Sequence, residues 1–240
     1  MRVAVLCYHR IEQPPLGAEA DTNFVTPARF AAQMEWLASR GFTGVTVHDI
    51  ARWQRGETTL PARPIAITFD DAYLSVATRA VPYLDRLRWP CTIFAVTSQL
   101  GGTNASWDPG APRAALMAAP MLRALAAAGH EVGSHSRTHR RIRDLGGTAA
   151  TDELAGSRAD LETALGTTVE SFAFPYGSHD PEAVKQVCQA GYRAACTLKR
   201  WANPRRGNPL RLGRMSVGGP LPMWQFALKL RKLLLMPAWV

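Results

Sequence analysis

Two adjacent carboxylates follow an apolar segment in the first third of the chain. Residues 65–69 read IAITF, and Asp70 and Asp71 come directly after them. Neighbouring carboxylates repel unless a cation or a proton separates their roles, so one could bind a metal while the other acts as a base. The alternative is that one of them caps a following helix, which Asp does well. The pair alone favours neither interpretation.

A second candidate group consists of two histidines four residues apart. His135 and His139 follow a short apolar segment that begins at Glu131. On a helical backbone they would lie on one face, and their imidazoles could converge on one ion. Such a pair also occurs by chance. Combined with an Asp from a neighbouring strand end, it forms a His₂Asp set with open positions for water and substrate, as metal-assisted hydrolysis requires.

The third candidate group is the turn formed by Pro175, Tyr176 and Gly177, which ends another apolar segment. Pro fixes the backbone and Gly permits a tight bend. The N–H of Tyr176 could therefore point into a site as an oxyanion donor, while its ring forms a wall. The alternative is an ordinary turn between a strand and a helix.

These groups stand at the ends of apolar segments that alternate with amphipathic ones along the chain. We predict strands over 3–8, 43–47, 65–69, 91–96, 131–133, 171–174, 193–197 and 211–217. We predict helices over 27–40, 71–87, 112–128, 151–165 and 180–190, most of them stopped by a glycine. Apolar strands separated by helices indicate a parallel sheet with both faces covered. The chain is short for a regular eightfold barrel, so we predict a distorted or incomplete (β/α) barrel of about seven parallel strands.

The composition is that of a folded chain with a basic surface. Of the 240 residues 47% are hydrophobic and 20% are charged, which excludes wholesale disorder and leads us to expect a single domain over 1–240. The net charge of +9 favours anionic partners without naming one. The four cysteines form no CxxC pattern and lie in apolar stretches that could bury them, so we expect no disulfide framework.

The N-terminus bears on location. The apolar run at 3–8 is too short for a secretory signal, so we expect the chain as written to lie in the cytoplasm, unless a leader has been removed. No stretch of about 18 uncharged apolar residues could span a bilayer.

Together, the three candidate groups resemble the polysaccharide deacetylases with a NodB-type domain, also called carbohydrate esterase family 4. TFDD at 68–71, HSRTH at 135–139 and FPYG at 174–177 match the first three motifs of that family in order. The resemblance implies a NodB-like barrel that hydrolyses an N-acetyl group on an amino sugar and releases acetate. It also implies a divalent metal, most often Zn²⁺ with Co, Ni or Mn as alternatives. Carried over by position, Asp70 would be the general base, and Asp71, His135 and His139 the metal ligands.

The chain departs from the family pattern at the general acid. Many members carry a late Leu-x-His that supplies the acid, but no histidine follows His179 here. The opening LCYHR at 6–10 resembles the N-terminal segment of the poly-β-1,6-N-acetylglucosamine deacetylase branch, in which an early histidine takes the acid role. We therefore predict His9 as the general acid, with a structural histidine at a strand end as the alternative.

A second departure concerns the arginine that orients the catalytic Asp in many members. Ala173 occupies its position, and a buried carboxylate base needs a guanidinium or a metal nearby to stay ionised. We predict that Arg214 takes this role, with Arg211 as the second candidate. Ala72 stands where relatives often have Gly, which we expect to matter little because the predicted helix begins at once.

The resemblance also directs the expectations about partners towards an N-acetylated glycan and away from nucleic acid. Trp107, in the loop 99–112, is either a platform for sugar stacking or a residue tucked under the loop. Two basic groups suggest an anionic or lipid-linked substrate, with a generic basic surface as the alternative. Their members are Arg137, Arg140, Arg141 and Arg143, and Lys199, Arg200, Arg205 and Arg206.

The C-terminal stretch 221–240 reads as a basic, apolar helix. It could lie at the inner membrane surface as a peripheral contact, but the last helix of a barrel would look the same. Two other functions stay open on sequence grounds. One is a catalytically silent barrel that binds glycan or membrane, and the other is a different metal-dependent amide or ester hydrolase.

Overall fold

The core of the protein is a curled, mainly parallel β-sheet, and the computed structural model describes residues 1–19 and 21–235. The strands, in chain order, are β1 Arg2–Tyr8, β2 Arg10–Ile11, β3 Phe24–Val25, β4 Thr43–Val45, β5 Pro64–Phe69, β6 Thr92–Ala95, β7 Glu131–Ser134, β8 Ser171–Ala173, β9 Ala194–Cys196, β10 Asn203–Pro204 and β11 Met215–Ser216.

The helices alternate with the strands along the chain, and most of them pack against the sheet through the larger core. They are α1 Pro27–Ser39, α2 Val47–Gln54, α3 Val81–Leu87, α4 Ala119–Ala127, α5 Gly147–Thr151, α6 Ser157–Leu165, α7 Pro181–Gln189 and α8 Met223–Leu235. Two π-helical turns, Val76–Ala80 and Asp152–Gly156, precede α3 and α6. Short 3₁₀ turns occupy Thr97–Gln99, Asn104–Ser106, Ile142–Asp144, Pro175–Gly177 and Pro209–Arg211.

The sheet runs in the order β1, β5, β6, β7, β8, β9, with every neighbouring pair parallel. Leu212 forms a parallel bridge with Cys196 of β9, and β11, just after it, pairs in parallel with β1. The sheet therefore curls until its last segment touches both β9 and the first strand. This architecture confirms the predicted distorted barrel of about seven parallel strands.

Burial along β1 and β5 explains why they form the centre of the sheet. All of β5, and all of β1 after Arg2, is buried, as expected for parallel strands covered on both faces. Side chains alternate along these strands. Leu6 and Ile67 pack in the larger core beneath the helices, whereas Val5 and Ala66 join a smaller inner cluster. Residues of α2, including Trp53, complete that inner cluster.

The structure corrects several predicted element bounds. The helix expected at 71–87 starts only at Leu74, just before the π turn Val76–Ala80, because Asp71 and Ala72 have φ values of 68° and 53°. The expectation that Ala72 matters little is therefore wrong, since a side chain in this left-handed region costs about 1–2 kcal/mol relative to Gly.

The strand expected at 43–47 ends at Val45, and α2 was not predicted. Its signal was the capping box between Thr46 and Asp49.

The other helix and strand differences are shifts of bounds. The helix expected at 112–128 spans only Ala119–Ala127. The helix expected at 151–165 corresponds to the π turn Asp152–Gly156 followed directly by α6. In place of a long strand at 211–217, the structure has only β11 after a 3₁₀ turn. Cys188 is exposed, contrary to expectation, while Cys7, Cys91 and Cys196 are buried and unpaired.

The last described helix, α8, packs against the barrel through one apolar face. Phe226, Leu230 and Leu233 are buried, and the ring of Phe226 meets that of Trp36 in α1 at 6.0 Å. Residues 236–240 of the predicted C-terminal helix lie outside the described residues. Within the described part of the chain, no helix has the length and apolar composition needed to cross a membrane.

Candidate metal centre and active site

Most of the predicted site residues line one pocket of about 510 Å³ at the carboxyl ends of the strands, whereas Pro175, Arg211 and Arg214 do not line it. His9 follows β1, the Asp70–Asp71 pair follows β5, and His135 follows β7. In a barrel this end carries the active site, because the loops after the strands converge there. The lining includes His9, Asp70, Asp71, Trp107, His135, His139 and Tyr176.

Asp71, His135 and His139 bring one oxygen and two nitrogens together. Oδ1 of Asp71 lies 3.3 Å from Nε2 of His139 and 3.6 Å from Nε2 of His135. All three side chains are buried. The segment between the histidines is not helical, because Ser136 and His139 have φ values of 65° and 63°. The predicted convergence therefore comes from a turn and not from one face of a helix.

This arrangement fits a divalent metal ion. A tetrahedral zinc ion with ligand bonds of about 2.0–2.1 Å separates its ligand atoms by roughly 3.3–3.4 Å, close to the distances from Asp71. Oδ1 of Asp71 is buried and has no hydrogen-bond partner among the described residues, so an ion would satisfy it. Nδ1 of His135 lies 2.8 Å from the carbonyl oxygen of Ala173 and can donate to it, which leaves the lone pair on Nε2 for a metal. Burial lowers the pKa of His135 to about 4, so it is neutral at pH 7.

Asp70 stands beside this cluster and is held by Arg214. Nη1 of Arg214 donates to Oδ1 at 2.6 Å, Nη2 donates to Oδ2 at 2.8 Å, and both side chains are buried. Burial by itself would raise the pKa of Asp70, but the opposing effects, led by the charge of Arg214, together outweigh it, and the pKa falls well below its usual range. Asp70 is therefore ionised. The first helical residue after the pair is Leu74, so neither Asp70 nor Asp71 stands at the N-cap and the capping interpretation does not apply.

Arg214 is itself fixed by neighbouring strands. Its Nε donates to the carbonyl of Thr197 at 3.0 Å and its Nη1 to the hydroxyl of Thr68 at 3.2 Å. The structure thus brings the first-choice arginine to the carboxylate. Arg211, the second candidate, is exposed in the turn before β11.

We expect Arg214→Met to lower the free energy of unfolding by about 3–5 kcal/mol, because Asp70 would be left buried without its partner. The folded-state pKa of Asp70 is depressed, so the stability it contributes is present above its ordinary pKa of about 3.9 and is lost as pH falls below that value. Urea unfolding of both proteins at pH 7 and at lower pH checks this. The difference in free energy of unfolding between the wild type and the variant should become smaller in acid. Equal unfolding midpoints at pH 7 would contradict the prediction.

His9 lies close to Asp70. A ring nitrogen of His9, the Cys7 sulfur and a carboxylate oxygen of Asp70 all lie within 4.8 Å of one another. These three do not form a second metal centre, because Arg214 occupies both Asp70 oxygens and burial raises the pKa of the Cys7 thiol well above its usual value. His9 is half-buried and lines the pocket, so its ring can meet a substrate there.

Two aromatic rings enclose His139. Trp107 stacks on it with ring centroids 5.0 Å apart, and Tyr176 meets it edge-on at 4.7 Å. Trp107 is thus neither fully exposed nor tucked away from the site, since it lines the pocket while bracing a candidate ligand. Tyr176, after Pro175, has a φ of 60° and is half-exposed, and the guanidinium of Arg141 covers its ring at 4.1 Å.

The predicted basic groups are only partly at the site. Arg137 pairs with Asp152 and Asp160, and Arg143 pairs with Asp144. The basic residues of 199–206 do not line the pocket, whereas Lys229 of α8 does. Sequence reasoning missed Lys229, because nothing local shows that the last helix reaches the barrel mouth.

Comparisons with known proteins indicate a deacetylase family. A family model described as polysaccharide deacetylase matches residues 57–195. The poly-beta-1,6-N-acetyl-D-glucosamine N-deacetylase of Staphylococcus epidermidis is 22% identical over 231 residues, which cover 88% of this chain and 78% of that protein.

Solved structures agree with this assignment. IcaB from Ammonifex degensii has a TM-score of 0.79 at 25% identity and covers 95% of this chain and 96% of its own. The Streptococcus pyogenes deacetylase PplD, in complex with acetate, has a TM-score of 0.82 at 17% identity. It covers 95% of this chain and 98% of its own, and this likeness shows the fold.

Proposed function

The chain belongs to the polysaccharide deacetylase family, and on that premise we propose that it removes the N-acetyl group from an amino sugar by metal-dependent hydrolysis. The observation that carries the proposal is the cluster of Asp71, His135 and His139 with Asp70 beside it in one pocket. Nε2 of His135 lies 3.9 Å from Oδ2 of Asp70, so the candidate base and the candidate ligands face the same space.

Asp71, His135 and His139 would hold the metal, with Zn²⁺ as the first candidate and Co, Ni or Mn as alternatives. A bound divalent ion supplies polarisation of the acetyl carbonyl and a lower pKa for a bound water. Asp70 accepts the proton of the attacking water. Oδ2 is the candidate acceptor, because it faces the cluster, with Nε2 of His135 3.9 Å away. Arg214 keeps that carboxylate ionised and fixes its plane.

On the substrate side, the N–H of Tyr176 donates to the acetyl oxygen as it becomes an oxyanion. The rigid turn at Pro175 holds this N–H in place. His9 donates a proton to the departing amine, so that acetate and a free amino sugar leave. The rings of Trp107 and Tyr176 form walls against which a sugar face can pack.

For the general acid, we expect His9→Ala to lower kcat by about 10²-fold or more, because the amine would leave without a positioned proton donor. Zinc binding and KM should change little, since His9 is not among the proposed ligands. Steady-state kinetics together with zinc analysis of the same sample check this. A variant that keeps more than half of the wild-type kcat would leave His9 as a structural residue.

The proposed activity is tested by incubating the zinc-loaded protein with β-1,6- and β-1,4-linked N-acetylglucosamine oligomers and measuring acetate and free amine. We propose the β-1,6-linked glycan as the better substrate, since the Staphylococcus epidermidis relative is a poly-beta-1,6-N-acetyl-D-glucosamine N-deacetylase. Binding of oligomers without acetate release would favour the catalytically silent barrel. Release from simple acyl esters alone would favour another metal hydrolase.

We further propose that α8 contacts an anionic membrane surface. Trp224, Leu228 and Leu235 are exposed on this helix, Trp224 by 66% and Leu235 by 70%. A groove of about 550 Å³ between α1 and α8 is apolar inside and rimmed by Arg40, Arg63 and Arg231. An apolar strip with a cationic rim suits lipid headgroups of negative charge. An anionic or lipid-linked substrate stays a prediction, for which Lys229 offers a positive charge in the pocket. A cytoplasmic location also stays a prediction.

We expect the full chain to float with vesicles that contain phosphatidylglycerol and to lose this binding in the double variant Trp224→Ser, Leu228→Ser. The buried residues of α8 are kept, so the helix stays docked. Leu16→Ser is the matched control, because Leu16 is fully exposed but lies outside α8. Equal flotation of all three proteins, or none by the wild type, would contradict the membrane proposal.

A further inference from the structure

The turn that carries His139 is hydrogen-bonded to one buried carboxylate from a later segment of the chain. Glu153 lies in the π turn Asp152–Gly156 and is 3% exposed. Its Oε2 accepts hydrogen bonds from the backbone N–H groups of Arg137 and Thr138, both at 2.9 Å. Its Oε1 accepts the hydroxyl of Thr138. These contacts of the carboxylate therefore all go to the turn between the two candidate ligand histidines.

The opposite side of the same turn is bound to the loop after β6. The backbone N–H groups of Thr97 and Ser98 donate to the carbonyls of Ser136 and Arg137 at 3.2 and 3.0 Å. Within the turn, the N–H of His139 donates to the hydroxyl of Ser136 at 3.0 Å. Glu153 thus holds the donors of the turn, while the 97–98 segment holds its acceptors.

The turn needs such a clamp because its backbone is strained. Ser136 and His139 both have positive φ, at 65° and 63°. Each such residue costs of order 1–3 kcal/mol and keeps its conformation only where the surroundings over-determine it. Without the clamp the turn can relax towards ordinary backbone angles, and Nε2 of His139 would then leave its place 3.3 Å from Asp71.

We propose that Glu153 is a positioning residue for the metal centre. It sets the place of His139 relative to Asp71 and His135 without touching any of the three side chains. The π turn supplies the geometry, since the extra residue it inserts between α5 and α6 is a common device at functional sites. The ion pairs of Arg137 with Asp152 and Asp160 lie nearer to solvent and stabilise the turn less. This inference rests on the proposed function, because it requires that the cluster binds a metal.

The test is the zinc affinity of the full chain, measured by competition with a chromophoric chelator, for wild type, Glu153→Ala and Glu153→Gln. Removal of a residue that orients a ligand typically costs 10–100-fold in metal affinity, and we expect a loss of about this size for Glu153→Ala. Glu153→Gln keeps one acceptor oxygen, so its loss should be smaller but still on the order of threefold. Excess zinc should restore kcat in both variants with KM unchanged.

Glu131→Gln is the matched control. Glu131 stands at the other end of β7 and also accepts a threonine hydroxyl and a backbone N–H, from Thr92 at 2.7 Å and from His48 at 3.0 Å. This variant should bind zinc as wild type does, even if its unfolding midpoint drops.

Two results would overturn the inference. One is wild-type zinc affinity in a folded Glu153→Ala; if that variant does not fold, unchanged affinity in Glu153→Gln has the same meaning. The other is an equal loss of affinity in Glu131→Gln, which would make the effect one of general stability. A wild type that binds no zinc would overturn the proposed function as well, so the two failures can be told apart.

Discussion

Asp70→Asn is expected to lower kcat on N-acetylglucosamine oligomers by about 10³-fold while zinc stays bound. The side-chain amide cannot accept the proton of the attacking water, and a positioned base contributes typically 10²–10⁴ in rate. The substitution leaves Asp71, His135 and His139 in place, so the proposed metal centre keeps its ligands. The variant therefore separates proton transfer from metal binding.

The control for this variant is the same Asp-to-Asn substitution at a carboxylate outside the pocket. Asp85 pairs with His130 at 3.1 Å, away from the pocket, so Asp85→Asn should keep wild-type kcat. Far-ultraviolet circular dichroism and unfolding curves check that Asp70→Asn is folded, since Arg214 loses a charged partner in it. A folded, zinc-loaded Asp70→Asn with kcat within tenfold of wild type would remove Asp70 from the role of base.

His135→Ala is expected to abolish stoichiometric zinc binding and to lower activity by about 10³-fold or more, because one of three ligands is lost along with the chemistry that the ion supplies. The same result is expected for Asp71→Asn. Asp70→Asn should differ from both, with little activity but a full complement of zinc. Elemental analysis after dialysis, alongside acetate release, measures the two quantities on one sample.

His130→Ala controls for the loss of a buried histidine. His130 is 6% exposed, and its ring contacts Asp85 and Cys91 outside the pocket. It should therefore keep zinc and activity. If His135→Ala retained one zinc per chain with wild-type affinity, the ion would be held elsewhere and the proposed ligand set would be wrong.

The sequence allowed much of the site to be predicted because parallel strands bring their carboxyl ends to one edge. Asp70, Asp71 and His135 each follow an apolar strand, so their meeting needs only the barrel topology. The need for a guanidinium beside Asp70 also followed from the cost of a buried charge. That Arg214 binds both carboxylate oxygens could not be known, because it depends on how the last strand closes the sheet.

Where prediction failed, backbone conformation depended on distant contacts. The convergence of His135 and His139 was argued for a helical backbone, but the turn at 135–139 has positive φ values that are stabilised by Glu153 and by the segment after β6, which no local pattern reveals. Likewise Ala72 adopts a left-handed conformation that its own preference opposes. Lys229 reaches the pocket only because α8 docks through Phe226 and Leu230.

The central claim, a divalent ion held by one carboxylate and two imidazoles, is tested most directly by crystals grown with zinc and measured at the zinc absorption edge. The account predicts one anomalous peak within about 2.0–2.2 Å of Oδ1 of Asp71 and of Nε2 of His135 and His139, with Asp70 outside the coordination shell. A peak held by other residues, or none in this pocket at saturating zinc, would contradict it.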